Sequence, residues 1–495
     1  MVKRFKFILF LLLVSASGGC NKSEKTEEDQ PLDGGYIPSG MDASHMRDSG
    51  MDADADSDTD ADSDADAGGD ADADADADIV GDASTWMIKL DGDSYYYSVI
   101  ETSSRDLVAA GMTNVFGFGD FDARMVRITS EAEIIWQKAM GGPSRDCASF
   151  IAETSDKGFV FAGYTESFGA GNRDIWVVKL DGSGNPVWQK TLGGKEDDEA
   201  YEVIESSDRG IVIAAGTWSF GAGDSDMWMI KLDADGEVLW QQTIGGDEEE
   251  KALAVIETSE NELLFSGYSD SAVYDIPLVK LALDGSIIWI MRTVNTEAGT
   301  AHSIYETSDH NLLLAGSIRS GSYDPEDMLL MMMDLNADII WQKILKIPWD
   351  GDHPPEEWGF CIAEGPDNDL YLGADWVQTE MESSGAGNYL LCMDEQGELK
   401  WSKHTKSISH IGSVAWTHEN RIIFSGGNNI VKTDMNGNIE DGCLLIENLD
   451  DLEISTGLAD FEEADFETKQ TGEVPADSDA GIKDTPAITQ FVCPE

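Results

Sequence analysis

The feature that most constrains this chain is an internal repeat of about 50 residues. Residues 133–184 and 186–236 carry the same motifs in the same order, from a W-Q-K segment and a Gly-Gly pair to a D-x-W-x-x-K-L-D segment. The marker tryptophans are Trp86, Trp136, Trp188, Trp240, Trp289, Trp341 and Trp401, and the glycines that end one apolar run per unit are Gly111, Gly163, Gly216, Gly267, Gly316, Gly373 and Gly426. Both markers count seven units, which predicts a stacked repeat architecture.

Each unit holds four short apolar segments separated by turn sequences such as SDRG, SFGAG and DADG, which predict antiparallel strands joined by hairpins. A unit of this length with four strands and a repeated tryptophan is typical of a β-propeller blade, which is stable only when stacked on its neighbours around a ring. We therefore predict an all-β fold, a seven-bladed β-propeller over residues 85–442. The first unit begins at its Trp strand (85–90) and the last ends at its third strand (429–434), so the two ends are expected to complete one blade. The alternative is that residues 439–446 supply the missing strand.

The W-Q-x-T-x-G-G, E-T-S-D-x-G, S-F-G-A-G and D-x-W-x-x-K-L-D elements resemble the repeats of exported bacterial and archaeal propeller proteins, which are related in pattern to quinoprotein-like propellers. The resemblance covers about Trp86 to Cys443 and implies a fold rather than an activity. A quinoprotein dehydrogenase would need a vicinal cysteine pair and basic residues for its cofactor, and this chain has no Cys-Cys pair and only 32 Lys and Arg residues. No cofactor is predicted, and the tryptophans are assigned to packing between blades.

The N-terminus reads as an export signal, with a basic start, an apolar run at 7–14 and small residues up to Cys20. The sequence Ser17-Gly18-Gly19-Cys20 resembles the lipobox of bacterial lipoproteins, which implies a signal peptide at 1–19 and acylation of Cys20. The expected location is the cell envelope, with the chain held by its lipid anchor at the outer membrane or cell surface. Ordinary signal cleavage is the alternative.

The mature chain begins with an acidic stalk. Residues 20–84 contain almost no large apolar side chain, and 51–78 are nearly a strict Asp-Ala alternation, so we predict a disordered, self-repelling linker. An EF-hand calcium loop needs a glycine at its sixth position and a glutamate at its twelfth, which this run lacks, so Ca²⁺ is not predicted, although metal binding stays open. The net charge of 32 − 96 = −64 excludes nucleic acid as a partner.

Residues 443–495 form an acidic tail with no trace of the repeat, which on composition is not expected to hold itself against a core. Cys443 and Cys493 bracket this tail, whereas Cys147, Cys361 and Cys392 fall inside different repeats. In an exported chain disulfides are permitted. We therefore predict a disulfide between Cys443 and Cys493, with two free thiols as the alternative.

Carboxylates recur at fixed places in the repeat. One set closes the first strand of six units, with Thr417 assigned to this place in the seventh: Glu101, Glu153, Glu205, Glu257, Glu306 and Glu364. A second set opens the third strand: Asp122, Asp174, Asp226, Asp275 and Asp327. We interpret both sets as acceptors for turn N–H groups rather than as a cation-gathering ring or as metal ligands.

The sixth unit departs from the repeat by an insertion at 346–360 and by a long loop between its second and third strands. Because strands alternate in direction, the fourth-to-first and second-to-third loops emerge on one face, termed here the loop face. The insertion offers aromatic rings beside carboxylates, a composition suited to a glycan, a cation or a basic peptide. The candidate ligand-binding residues are Trp349, Asp350, Asp352, His353, Glu356, Glu357 and Trp358. The competing interpretation is a neutral loop insertion.

No catalytic residues are predicted, because the seven histidines are scattered and no GxSxG or HExxH motif is present. Two functions remain open. The first is a monomeric, surface-anchored binding or scaffolding propeller without enzymatic activity. The alternative is an exported carbohydrate-active hydrolase or lyase that uses acidic residues on the loop face.

Overall fold

The structure is a computed structural model that describes residues 78–81, 85–90, 94–115, 117–269, 276–294, 298–319, 326–346, 356–379, 384–405 and 410–439, with six further segments at 446–448, 453–456, 460–463, 467–469, 483–484 and 489–491. Within these residues the regular structure is β, apart from one 3-10 turn at Pro366–Asn368. None of the described segments contains a helix long and apolar enough to cross a membrane. The all-β prediction is confirmed.

The described strands form seven antiparallel blades, here called I to VII, and the four repeat strands of each blade are given from the innermost outwards. Blade I holds Ser94–Glu101, Leu107–Thr113, Asp122–Ile128 and Ile134–Met140. Blade II holds Asp146–Glu153, Phe159–Thr165, Asp174–Leu180 and Pro186–Leu192. Blade III holds Asp198–Glu205, Ile211–Thr217, Asp226–Leu232 and Val238–Gly245.

The remaining blades follow the same order. Blade IV holds Glu250–Glu257, Glu262–Ser269, Pro277–Ala282 and Ile287–Val294. Blade V holds Ala298–Glu306, Leu312–Arg319, Asp327–Met333 and Ile339–Lys346. Blade VI holds Glu356–Glu364, Leu370–Thr379, Ser384–Met393 and Leu399–Thr405. Blade VII holds Ser413–Trp416, Ile422–Gly426, Asn429–Thr433 and Trp86–Lys89.

Blade VII joins the two ends of the repeat region. Its fourth strand, Trp86–Lys89, comes from the N-terminal side and pairs with Asn429–Thr433, with Met87 opposite Val431. Each blade contacts the next, and blade VII contacts blade I, so the ring is closed. The predicted strand exchange is confirmed, and the alternative that residues 439–446 fill this place is wrong, because Trp86–Lys89 occupies it.

The blades pack face to face, and an apolar core lies between neighbouring sheets. The second strand of each of blades I to III is buried along its whole length, because both of its faces meet a neighbouring sheet. Between blades II and III, Val160 and Ala162 of one sheet pack with Ile213 and Ala215 of the other. This two-sided burial is the physical reason that the second segment of the repeat reads as an unbroken apolar run.

A fifth strand lies along the outer edge of every blade. The C-terminal segment runs back around the ring and pairs antiparallel with blades VI, V, IV, III, II and I in that order. Its strands are Ile446–Asn448, Glu453–Thr456, Asp460–Glu463, Glu467–Lys469, Lys483–Asp484 and Thr489–Phe491. On blade VII the fifth strand is Asp78–Gly81, from the end of the acidic stalk. The tail therefore pairs with the ring, although its composition predicted no such packing.

Candidate functional site

The innermost strands of all seven blades surround a central channel that contains a cavity of about 390 Å³. Ligand cavities in proteins have volumes of this order. Aromatic, hydroxyl, imidazole and apolar side chains line it, together with one carboxyl. The polar and aromatic members include Tyr97, Ser149, Phe150, Tyr201, Glu202, His302, Ser303, Tyr305, Phe360, His410 and Ser413.

A β-bulge places one residue per blade at this cavity. In blades I to VI the pairing of the innermost strand shifts by one residue near its middle, and the extra residue is left out of the ladder. The bulged residues are Tyr97, Ser149, Tyr201, Leu253, His302 and Phe360, and Gly412 holds the equivalent place before the innermost strand of blade VII. Bulges redirect side chains and are common beside functional sites. Here six bulges bring side chains of five different types into one lining.

One wall of the cavity consists of three neighbouring rings, which come from blades V, VI and VII. The Phe360 ring lies between two imidazoles, with its centroid 4.8 Å from that of His302 and 4.9 Å from that of His410. Burial, with a smaller effect of the nearby His410, lowers the pKa of His302 to about 3. His302 is therefore an uncharged imidazole at physiological pH, able to donate one hydrogen bond and accept another.

The second imidazole of this wall is held by a buried carboxylate. His410 Nδ1 donates to Asp375 Oδ2, and Asp375 Oδ1 accepts from the Ile411 N–H at 3.2 Å and from Asn388 Nδ2 at 3.0 Å. A carboxylate partner at Nδ1 fixes the proton there, which leaves Nε2 as an acceptor when the ring is neutral. The pair is an oriented His–Asp unit beside the cavity.

Among the described lining residues, Glu202 carries the one carboxyl. Its Oε2 accepts the Val255 N–H of the neighbouring blade at 2.7 Å. Burial raises the pKa of Glu202 to about 8, against the opposing effect of the Val255 hydrogen bond. An empty channel therefore favours the protonated carboxyl at neutral pH.

A separate charged cluster lies between blades II, III and IV. Arg173 contacts Glu166 at 3.0 Å and Glu199 at 2.5 Å, and the Lys251 ammonium lies 4.1 Å from the centroid of the Trp218 ring. Burial lowers the pKa of Lys251 to about 8. Arg173, Glu199 and Lys251 are buried, and none of the cluster is among the described lining residues of the cavity, so the cluster contributes to packing between blades.

No family model and no curated protein matches this chain. Among solved structures it is similar to a streptogramin B lyase, at 12 % identity and a TM-score of 0.46, over 70 % of this chain and 95 % of that one. It is also similar to the WD40 β-propeller domain of Doa1, at 12 % identity and a TM-score of 0.44, over 71 % of this chain and 96 % of that domain. Likeness at this level bears on the fold alone, and the site is argued from its own residues.

The ligand-binding residues expected from the sequence divide into two groups. Trp349, Asp350, Asp352 and His353 lie outside the described residues. The other three do not lie in a loop, because the innermost strand of blade VI already begins at Glu356 and its first residues pair with the second strand of that blade. Trp358 is opposite Asp375, the partner of His410. Cys20, Cys443 and Cys493 also lie outside the described residues, so acylation and the disulfide stay predictions.

The repeated glutamates are structural, as predicted, but they act between blades rather than within their own turn. Glu205 Oε2 accepts the Ser155 N–H of blade II at 2.6 Å, and Glu101 Oε2 accepts the His418 N–H of blade VII at 2.9 Å. Thr417 was assigned to the wrong place, because its N–H and carbonyl close a turn as those of Thr102 do. Trp416 occupies the glutamate position in blade VII. Asp122, Asp174 and Asp226 accept N–H groups of the preceding turn, which confirms the interpretation for these three.

The sequence interpretation missed the channel residues. A signal was nevertheless present, because each bulged residue lies four positions before the repeated glutamate or, in blade VII, before Trp416. That position holds Tyr, Ser, Tyr, Leu, His, Phe and Gly in the seven units. Such variation at one place in a regular repeat marks a position that the fold leaves free.

Proposed function

We propose that this protein is a ligand-binding module and that the central channel of its seven-bladed propeller is the binding site. The observation that carries the proposal is the ring of bulged residues. The sequence repeat retains the tryptophans and most of the turn glycines and glutamates. The residue that each blade places at the common cavity, by contrast, varies among the blades. Different side chains converging on one enclosed space suit the recognition of an asymmetric small molecule.

We further propose that the chain is exported and held in the cell envelope through lipid on Cys20, with the acidic stalk as a spacer. The support is the lipobox-like sequence at 17–20 and the composition of residues 20–84. Labelling of cells with a radioactive fatty acid tests the anchor. Incorporation into the wild type and loss of label in Cys20→Ala are expected, whereas equal labelling of both would contradict the proposal.

The binding function is tested by a thermal-shift screen of the full-length protein against glycans, peptides and small organic molecules. A Ser149→Trp variant should fill the channel and remove the stabilisation by any true channel ligand. The control Ser183→Trp adds the same ring on an exposed turn that is not part of the cavity lining. Ligands whose binding survives Ser149→Trp but is lost when Trp349, Asp350, Asp352 and His353 are replaced by alanine would place the site on the loop face instead.

One observation favours a second candidate, an enzyme acting on carbohydrate. The oriented His410–Asp375 pair and the protonated Glu202 supply a base and an acid to the same cavity. A hydrolase or lyase would then use channel groups rather than the acidic loop residues expected from the sequence. Turnover of a glycan that is lost in His410→Gln, with binding of that glycan retained, would establish this candidate over the first.

A further inference from the structure

Glu202 lies at a position of the repeat where the fold uses a side chain only to accept one N–H group of the next blade. The equivalent residues in blades I and VII are serines, and each serine hydroxyl accepts an N–H of the next blade: Ser98 from Ile151 at 3.4 Å and Ser413 from Val99 at 3.2 Å. Glu202 does the same for Val255 at 2.7 Å. A serine at this position therefore accepts the N–H of the next blade, and the fold does not require a carboxyl there.

The second carboxyl oxygen of Glu202 has no hydrogen-bond partner among the described residues, and part of the side chain faces the cavity. Removing a carboxylate from water without a partner costs several kcal/mol. The Glu202 carboxyl avoids this cost if it is protonated or if a cation binds beside it. Since the cavity adjoins it, the cation can come from a ligand.

The rest of the wall provides no competing cation. The titratable groups on it are Tyr97, Tyr201, His302, Tyr305, Cys361 and His410, and no Lys or Arg side chain is among the described lining residues. His302 stays uncharged, and His410 is hydrogen-bonded to the Asp375 carboxylate. The rings of Tyr97, Tyr201, Phe150 and Phe360 line the same space, and aromatic faces attract organic cations.

We propose that the channel ligand is an organic cation, a quaternary or primary amine, whose charge is neutralised by Glu202 within the aromatic lining. This inference rests on the channel being the binding site. The net charge of −64 also raises the local concentration of cations around the molecule. An uncharged ligand such as a sugar is the rival, because a protonated Glu202 could donate a hydrogen bond to it.

The test compares two probes of one shape on the full-length protein: choline and dimethylbutanol, in which a carbon atom replaces the quaternary nitrogen. Calorimetry should show choline binding about tenfold or more tightly than dimethylbutanol, which corresponds to about 1.4 kcal/mol. At about pH 7 choline binding should release protons from the wild type, detected as a dependence of the measured heat on the buffer, because the cation displaces the Glu202 proton.

Two variants isolate the carboxyl. Glu202→Ser installs the residue that blades I and VII use, and Glu202→Gln keeps the size, so both retain an acceptor for the Val255 N–H. Each should fold with a melting temperature near that of the wild type, lose the preference for choline over dimethylbutanol and release no protons. The control Glu237→Gln, an exposed carboxylate on the outside of blade III, should bind as the wild type does.

Equal binding of the two probes by the wild type would overturn the cation proposal, and it would leave the channel as the site if Ser149→Trp blocks both. Absence of binding by choline would also overturn it. If choline binds and Ser149→Trp has no effect, the channel itself is not the site and the proposed function fails as well.

Discussion

At the residue scale, three positions of the repeat join each blade to the next. In five of the seven units the marker tryptophan donates from Nε1 to a turn carbonyl of the following blade, as Trp188 does to Ala234 at 2.9 Å. The turn residue Gly236 has a φ of +81°, and a Cβ there would lie 3.0 Å from the Trp188 ring, so glycine is favoured by both its backbone and its size. Alanine is tolerated at the same turn position in blades I and V, where Ala132 and Ala337 have φ of +69° and +66°. The repeated glutamates are the third of these positions, because they accept turn N–H groups of the neighbouring blade. At the junction of blades VI and VII, Trp416 stacks on Tyr371 instead, with centroids 4.9 Å apart.

The glutamate contacts predict the effect of a single substitution. Glu205→Ala should lower the free energy of unfolding by about 1–3 kcal/mol, because the Ser155 N–H loses its acceptor. Glu205→Gln, which keeps one acceptor oxygen, should lose less. Chemical denaturation measures both. The control Asp235→Asn changes one exposed side chain and should change stability by at most about 0.5 kcal/mol; an equal loss in the control would contradict the assigned role.

Buried carboxyls at the blade junctions predict a dependence on pH. Burial raises the pKa of Asp122 to about 6 and that of Asp198 to about 7, and it also raises the pKa of Asp146 and of Glu250. The folded state therefore holds more protons than the unfolded state between about pH 4 and 7, so stability should fall as pH rises through this window. Asp198→Asn should flatten that decline, measured as the free energy of unfolding against pH. Asp235→Asn, which removes one exposed carboxyl, should keep the wild-type slope.

At the scale of the elements, the outer strands follow one register around the ring. The residue three positions after each marker tryptophan is paired with a fifth strand in all seven blades. Examples are Ala139 with Gln490, Ile344 with Ser455 and Lys89 with Asp78. Exposed strand edges invite pairing with other chains. The tail and the end of the stalk cover these edges.

Removal of the tail tests this protection. A chain that ends at residue 445 should melt at a lower temperature and aggregate during purification, because six blade edges lose their covering strand. The control ends at residue 491 and keeps all six strands. Thermal melting and light scattering distinguish the two, and a monomeric short chain with an unchanged melt would show that the tail strands add no stability.

The predicted disulfide would join the two ends of the tail. Cys443 precedes the strand on blade VI and Cys493 follows the strand on blade I, with blade VII between them. A bridge would close a loop of about 50 residues and stabilise by roughly 4 kcal/mol in the chain-entropy model. Peptide mapping without reductant should recover the two cysteines in one linked peptide; two separately alkylated peptides would refute the bridge.

At the scale of the whole molecule, the ring is closed by a strand from the opposite end of the repeat region. Trp86–Lys89 completes blade VII, and Asp78–Gly81 adds its fifth strand, so the stalk joins the propeller at the outer edge of that blade. The tail then passes around the other six blades. Both ends of the propeller are thus fixed in the sheets, which makes the ring one cooperative unit.

Deletion of residues 84–91 should strongly lower the melting temperature, because blade VII loses its fourth strand and the ring opens at this edge. The matched control deletes residues 54–61, an equal length of the Asp-Ala stalk. Differential scanning calorimetry compares them. An unchanged melt in the first deletion would mean that the closure seen here does not stabilise the ring.

The sequence by itself determined the blades, because a sheet that cannot bury its faces alone must repeat its apolar pattern, and this pattern, its tryptophan and its strand glycine recur in every unit. It also predicted the exchanged strand, since each end lacked what the other supplied. Only the tertiary structure decided the tail and the channel. Edge pairing uses backbone hydrogen bonds and leaves little pattern in the side chains of 446–491. The cavity brings together Glu202, His302 and His410, which are far apart in sequence and meet only because the innermost strands of separate blades surround one channel.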